Sequence, residues 1–196
     1  MPSPTTTRHS LQAQLDAITA RTRTLLQPER LVVTDAAIHD LFVSGIESRL
    51  LPVGSLAPSF ALQPASATAL HPSATAPAKL VHSSDLLALG PLIVSFFRGR
   101  WCPYCVTELE AWQSLYPQVR AHGALLVAIS PQLPRQNDFL VQQHALTFPV
   151  LSDPGCRLAA AFGVAYTVPD PLRAHFHAIM VNLPFLHGDQ GEDTWR

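Results

Sequence analysis

The sequence predicts an α/β protein built around a largely parallel sheet, and three observations carry that reading. Two apolar runs, 92–97 (interrupted only by the small Ser95) and 123–129, read as strands covered on both faces. After the first run the rhythm turns helical, with Val106, Leu109, Trp112, Leu115 or Tyr116, and Val119 three or four residues apart. A Cys-x-x-Cys pair, Cys102-Pro103-Tyr104-Cys105, stands where the strand becomes the helix. Strands alternating with helices predict right-handed crossovers on a parallel-centred sheet.

Bulk properties narrow the function classes. A chain of 196 residues holds one domain with a real core, or one domain plus an extension, and 47% hydrophobic residues argue against disorder. A formal net charge of −1 gives no footprint for nucleic acid or an anionic membrane. The N-terminus has no basic stretch followed by an apolar core, and no apolar run approaches the ~20 residues of a membrane span. The expectation is a cytoplasmic protein, where paired cysteines are usually catalytic or metal-binding and seldom structural disulfides.

In chain order, residues 9–26 place Leu11, Leu15, Ile18 and Leu25 on one helical stripe away from Arg21 and Arg23, and Pro28 ends the segment. Thr34 suits the N-cap of a second helix over 35–49, with Ile38, Leu41, Phe42 and Ile46 as its apolar face. Residues 1–50 are therefore expected to form an N-terminal helical extension, either a dimerisation arm or a brace on the sheet, before a main domain over 51–196. The stretch 57–62 is a short strand candidate. Residues 63–79, with Pro64, Pro72 and Pro77 among small residues, read as a loop in which His71, like His82 just after it, is solvated. Ser83-Ser84-Asp85 caps a short helix through Leu89, ended by Gly90. Beyond the second apolar run, Pro134 starts a helix to about His144. Residues 148–151 form a third strand, its Pro149 suiting a sheet edge. Asp153 or Gly155 leads into a helix through Phe162, closed by Gly163. Residues 164–167 read as strand or turn. Pro171 starts a helix carrying Leu172, Phe176, Ile179 and Met180, and 188–193 is loop.

The chemistry concentrates at Cys102 and Cys105. A helix start offers unpaired N–H groups and the positive end of the dipole, and both favour a thiolate. Arg98 or Arg100 lowers a thiol pKa further if its side chain reaches. Trp101, Pro103 and Tyr104, with the two arginines, are expected to shape the rim of the site. Zinc is the rival reading, but the remaining candidate ligands are Cys156 and the His175/His177 pair. None sits in a knuckle-like spacing, so no metal is expected. Cys156, about 10 Å away at ordinary strand spacing, is taken as structural. Glu108 and Glu110 read as solvated, Glu108 being the one near enough to Cys105 to matter.

Several segments in order, Gly54-Ser55-Leu56-Ala57-Pro58-Ser59-Phe60, Ser95-Phe96-Phe97-Arg98-Gly99-Arg100-Trp101-Cys102-Pro103-Tyr104-Cys105, Ala128-Ile129-Ser130-Pro131-Gln132, Phe148-Pro149-Val150-Leu151-Ser152-Asp153 and Phe162-Gly163-Val164, resemble the alkyl hydroperoxide reductase C / thiol-specific antioxidant (AhpC/TSA) family of peroxiredoxins, in its Cys-x-x-Cys branch. The resemblance covers roughly residues 50–165. It implies a thioredoxin-like fold of the peroxiredoxin type and an antioxidant thiol peroxidase acting on hydrogen peroxide or organic hydroperoxides. It implies no cofactor, and a dithiol electron donor such as a thioredoxin. Cys105 aligns with the peroxidatic cysteine and Cys102 with the threonine three residues before it, so the expectation is attack by Cys105 with Cys102 as the resolving thiol, the reverse order staying open. Thioredoxins put the attacking thiol first, which would be Cys102. A protein disulfide oxidoreductase, or a non-catalytic redox sensor or interaction module, therefore stays open as an alternative. The family continues with a strand bearing an arginine or a cis-proline beside the active site, then a further strand and helix. This chain reaches Arg196 about where that portion begins. The expectation is a fold lacking that C-terminal portion, with the strand over 92–97 at an incomplete sheet edge or paired with a partner such as a second copy in a homodimer.

Overall fold

The computed structural model describes residues 10–65 and 79–196. Its centre is a five-stranded mixed sheet of β1 (Ala61–Pro64), β2 (Val81–His82), β3 (Leu92–Phe96), β4 (Leu125–Ser130) and β5 (Val150–Ser152), in the order β2-β1-β5-β4-β3. The two apolar runs pair in parallel, Leu92 opposite Leu125 through Phe96 opposite Ile129, and β5 continues the parallel set beside β4. Strand β1 runs antiparallel to β5, and β2 antiparallel to β1. β3 is a sheet edge, with β4 as its one strand neighbour among the described residues.

Alternation along the strands divides the core into two layers. On one face Ile93, Phe97, Leu126, Ala128 and Val150 meet Val106, Leu109 and Trp112 of helix α4 (Pro103–Ala121) and Leu140 and Val141 of α5 (Pro134–Gln143). On the other face Val94, Phe96, Val127, Ile129 and Leu151 meet Leu86 of α3 (Ser83–Leu87) and Leu158 of α6 (Arg157–Ala161). A third cluster lies beside the sheet. It joins Val168 and Leu172 and Phe176 of α7 (Asp170–Ala178) to Leu183 and Leu186 of α8 (Leu183–His187), with Trp101 and Trp195 packed on it.

The N-terminal helices are α1 (Leu11–Leu25) and α2 (Pro28–Val43). Pro28 does not merely stop the first helix; it occupies the start of the second, where a missing N–H costs nothing. Thr34 is consequently inside α2 and returns its hydroxyl to the carbonyls of Arg30 and Leu31. α1 packs on α4 and α2 on α7, so the pair braces helices and not the sheet. Gly163, at φ +75°, closes α6 where a Cβ would lie 1.8 Å from the Arg49 carbonyl oxygen, and the adjacent Phe162 carbonyl accepts from Leu51 N–H. That close backbone approach ties the extension to the domain.

Three further expectations change. Gln63 and Pro64 belong to β1, while most of the loop expected over 63–79, including His71, lies outside the described residues. β5 is flanked by β1 and β4 and is not a sheet edge; Pro149 immediately precedes it, and its carbonyl accepts from Ala128 N–H. Helix α7 ends at Ala178, leaving Met180 exposed in a left-handed turn at φ 62°.

Candidate active site

The C-terminal ends of β3 and β4 and the first turn of α4 converge on the two cysteines. Cys102 is the N-cap of α4, and Pro103 occupies the first helical position. The Cys102 Sγ accepts the backbone N–H of Cys105 at 3.4 Å, as a capping oxygen would. Arg98 Nη2 donates to the same sulfur at 3.1 Å, and its guanidinium lies 5.0 Å from the centre of the Trp101 ring. Cys102 is wholly buried (0% exposed), whereas Cys105 is half-buried.

These donors decide where the negative charge sits. A hydrogen bond from the Cys105 thiol lowers the Cys102 pKa to about 6, with the Arg98 charge and the Cys105 N–H acting in the same direction against burial. The same hydrogen bond between the sulfurs, followed by burial and the charge on Cys102, pushes the Cys105 thiol up. The surroundings thus favour the thiolate form at Cys102 and the thiol form at Cys105. Burial works against the Arg98 charge, but the sulfur of Cys102, with Tyr166 and Cys105, outweighs it and raises the Arg98 pKa.

The loop leading into the pair is held by a buried amide network. Gln132 Oε1 accepts Arg100 N–H at 3.0 Å, and Gln132 Nε2 donates to Asn137 Oδ1 at 2.9 Å. Ser130 Oγ donates to that same oxygen at 2.9 Å, while Asn137 Nδ2 donates to Ser152 Oγ at 3.0 Å and to the Leu151 carbonyl. Gly99 makes the close fit possible: a Cβ there would stand 2.7 Å from Trp101 Nε1 and 2.8 Å from Gln132 Oε1. With φ at +149°, the position favours glycine on backbone grounds as well.

A cavity of about 490 Å³ opens beside Cys105, between β3 and the segment 164–168. Arg98, Trp101, Cys105, Glu108, Cys156 and His187 line it together with apolar residues. Of the residues expected at the rim, Arg98 and Trp101 are there. Arg100 instead bonds Gln136 Oε1 at 2.9 Å and lies over Phe139, Pro103 is exposed and does not line the cavity, and Tyr104 hydroxyl pairs with Thr19 Oγ1 of α1 at 3.1 Å. Glu108 is not simply solvated: its Oε1 accepts from Ser95 Oγ at 3.4 Å and Trp112 Nε1 at 3.3 Å. Glu110 stays exposed and meets His144.

Cys156 borders the same cavity, buried, in a left-handed turn at φ 54°. Burial, then the Asp153 carboxylate, pushes its thiol up to about 12, so it is a poor nucleophile. His175 is buried and His177 exposed on different faces of α7. No group of three or more potential metal ligands occurs among the described residues. Asn137 and His187 are site neighbours that no sequence pattern marked, because they come from separate helices and carry no motif spacing.

The AhpC/TSA family model matches residues 53–178. Among curated proteins, the thiol-disulfide oxidoreductase ResA of Halalkalibacterium halodurans is 30% identical over 71 residues, which is 35% of this chain and 39% of that protein. ResA of Bacillus anthracis is 29% identical over 90 residues, 44% of this chain and 49% of that protein. The chain thus matches less than half the length of these relatives. Among solved structures, the peroxidoxin BcpB of Mycobacterium tuberculosis superposes with a TM-score of 0.51 at 23% identity, covering 59% of this chain and 68% of that one. The AhpC of Mycobacterium tuberculosis gives a TM-score of 0.50 at 24% identity, covering 60% and 70%. These superpositions establish the thioredoxin-like fold of the peroxiredoxin type. No helix among the described residues is long and apolar enough to cross a membrane.

Proposed function

Since the chain belongs to the AhpC/TSA family, we propose that it is a thiol peroxidase in which Cys105 attacks the peroxide and Cys102 resolves the product. The observation carrying this is the division of labour between the sulfurs. Cys105 borders the cavity, while Cys102 lies buried behind it and bears the charge. As a peroxide enters, the Cys105 proton passes to Cys102, and the Cys105 sulfur attacks one peroxide oxygen. The O–O bond breaks, leaving Cys105 as a sulfenic acid, and the departing alkoxide or hydroxide takes the proton from Cys102. The Cys102 thiolate then attacks the Cys105 sulfur and expels hydroxide, which solvent protonates to water, and the Cys102–Cys105 disulfide forms. An external dithiol, such as a thioredoxin, returns both sulfurs to the reduced state.

Reduced protein given one equivalent of hydrogen peroxide should form that disulfide, read by mass spectrometry of the peptide spanning both cysteines. Persistence of both thiols, or a disulfide to Cys156, contradicts the proposal. A second reading has its own support: the charge on Cys102 and the stretch shared with the ResA proteins fit a thiol-disulfide oxidoreductase with Cys102 attacking. Reduction of insulin disulfides by the protein, with no fast peroxide reaction, would favour it over the first.

A further inference from the structure

The peptide group joining Gly99 to Arg100 is bonded on both sides. Its N–H donates to Gln132 Oε1 at 3.0 Å, and its carbonyl, which a trans peptide points the opposite way, accepts the Cys102 N–H at 3.1 Å. Glycine at φ +149° does little by itself to fix which way that peptide faces. Arg98 lies on one side of it and Cys102 on the other, so turning it over would move the guanidinium and the sulfur relative to each other. Gln132 holds the peptide, and Gln132 is itself held. Both Gln132 and Asn137 are 0% exposed. A side-chain amide can turn end for end, yet here the run of bonds starts and finishes on main-chain groups that cannot. At one end the Leu151 carbonyl of β5 accepts from Asn137 Nδ2, and at the other the Arg100 N–H donates to Gln132 Oε1. Between them Asn137 Oδ1 accepts from Gln132 Nε2 at 2.9 Å. Turning either amide over would set donor against donor and oxygen against oxygen in a buried place. The direction of the relay is therefore set in the sheet, and Gln132 carries it to the loop.

We propose that Gln132 is the positioning residue of the thiol pair, its amide oxygen holding the 99–100 peptide in the orientation that presents the Cys102 sulfur to Arg98 and to the Cys105 N–H. The sulfur depends on that presentation. Cys102 Sγ accepts from Arg98 Nη2 at 3.1 Å and from Cys105 N–H at 3.4 Å, and a rotation of the Cys102 main chain loses one donor or both. Gln132 bonds neither sulfur; it acts through Arg98 and the Cys102 main chain. The Arg100 side chain is engaged elsewhere, its Nε donating to Gln136 Oε1 at 2.9 Å, so it does not compete for the Gln132 oxygen. This role rests on the proposed thiol chemistry, in which the Cys102 thiolate takes the proton of Cys105 before that sulfur attacks. Without the amide oxygen the Arg100 N–H loses its acceptor, glycine lets the peptide turn, and Cys102 returns toward an ordinary thiol.

The test follows the thiolate absorbance of the reduced full chain against pH. The wild type should show a midpoint of about 6. Gln132→Met, close to glutamine in length but without the acceptor, should raise it by about one pH unit. Arg98→Gln raises the midpoint too, and the double variant should fall well short of the sum of the two shifts, because the one residue acts through the other. Leu86→Ala, a core truncation on the opposite face of the sheet, should lower stability and leave the midpoint in place. Disulfide formation with hydrogen peroxide should slow severalfold in Gln132→Met near neutral pH and recover as the pH is raised, which a general loosening of the fold would not give. An unchanged midpoint in Gln132→Met, a shift that adds in full to that of Arg98→Gln, or an equal shift in Leu86→Ala overturns the proposal. Should Gln132→Met not fold, Gln132→Asn, whose amide stops one methylene short of the Arg100 N–H, reads the same shift. The titration uses no peroxide, so a protein that fails to form the disulfide contradicts the peroxidase reading alone, and the midpoints decide the role of Gln132 separately.

Discussion

At the scale of the residue, the two thiols of the pair are made unequal by what points at them. Cys102 Sγ receives a guanidinium at 3.1 Å and a helix N–H at 3.4 Å, and Cys105 hands it a third hydrogen bond. A thiol whose folded pKa falls from an ordinary 9.0 to about 6 makes the reduced protein's stability depend on pH. Between those values the unfolded chain binds a proton that the folded thiolate does not, so stability rises with pH through that window and the contribution is lost as pH falls through about 6. Above it the raised Cys105 reverses the slope, because there the folded state holds the extra proton. The urea midpoint of the reduced protein, measured relative to the disulfide form, should therefore climb from about pH 6 to 9. Arg98→Gln removes the adjacent cation, and the lower limit of the climb should move up by about one to two pH units. A flat profile in the wild type would contradict this charge assignment.

At the scale of the element, the active-site loop is precise because β4 and α5 hold it from beneath. Ser130 at the end of β4 and Gln132 just beyond it meet Asn137 of α5, and Asn137 also reaches Ser152 at the end of β5. Removing that hub orphans buried donors and acceptors on three elements. Asn137→Ala should lower unfolding stability by about 3 kcal/mol in urea titration, where its loss would be small if the network were merely decorative. This is also where sequence and structure part company. Strands β3 and β4 were legible because continuous apolar runs have few other uses, and the helix after Cys102 because its apolar spacing extends over several turns. The network was not legible, since polar residues two, five and twenty-odd positions apart carry no period and meet only when three elements end at one place. Pro28 misled for a related reason: a proline marks a helix boundary without saying whether a helix ends there or begins.

At the scale of the whole molecule, the candidate site is enclosed by parts of the chain outside the sheet. Phe176 of α7 packs edge-on against Trp101 with ring centres 5.0 Å apart, α8 supplies Leu183 and His187 to the cavity, and α1 reaches Tyr104. The family resemblance placed the cysteines but not this wall, whose residues come from the least regular stretch of sequence. Among the described residues, the C-terminal helices border the cavity beside β3 without pairing with that strand. The enclosure also buries Cys102 wholly and leaves Cys105 half-buried on the cavity wall, and on that asymmetry the assignment of Cys105 as the attacking thiol depends. The most direct test treats Cys102→Ser and Cys105→Ser with hydrogen peroxide in the presence of dimedone and locates the sulfenic acid adduct. The account predicts an adduct on Cys105 in the Cys102→Ser protein and none on Cys102 in the Cys105→Ser protein. An adduct that requires Cys102, with Cys105 unlabelled in its absence, would contradict it.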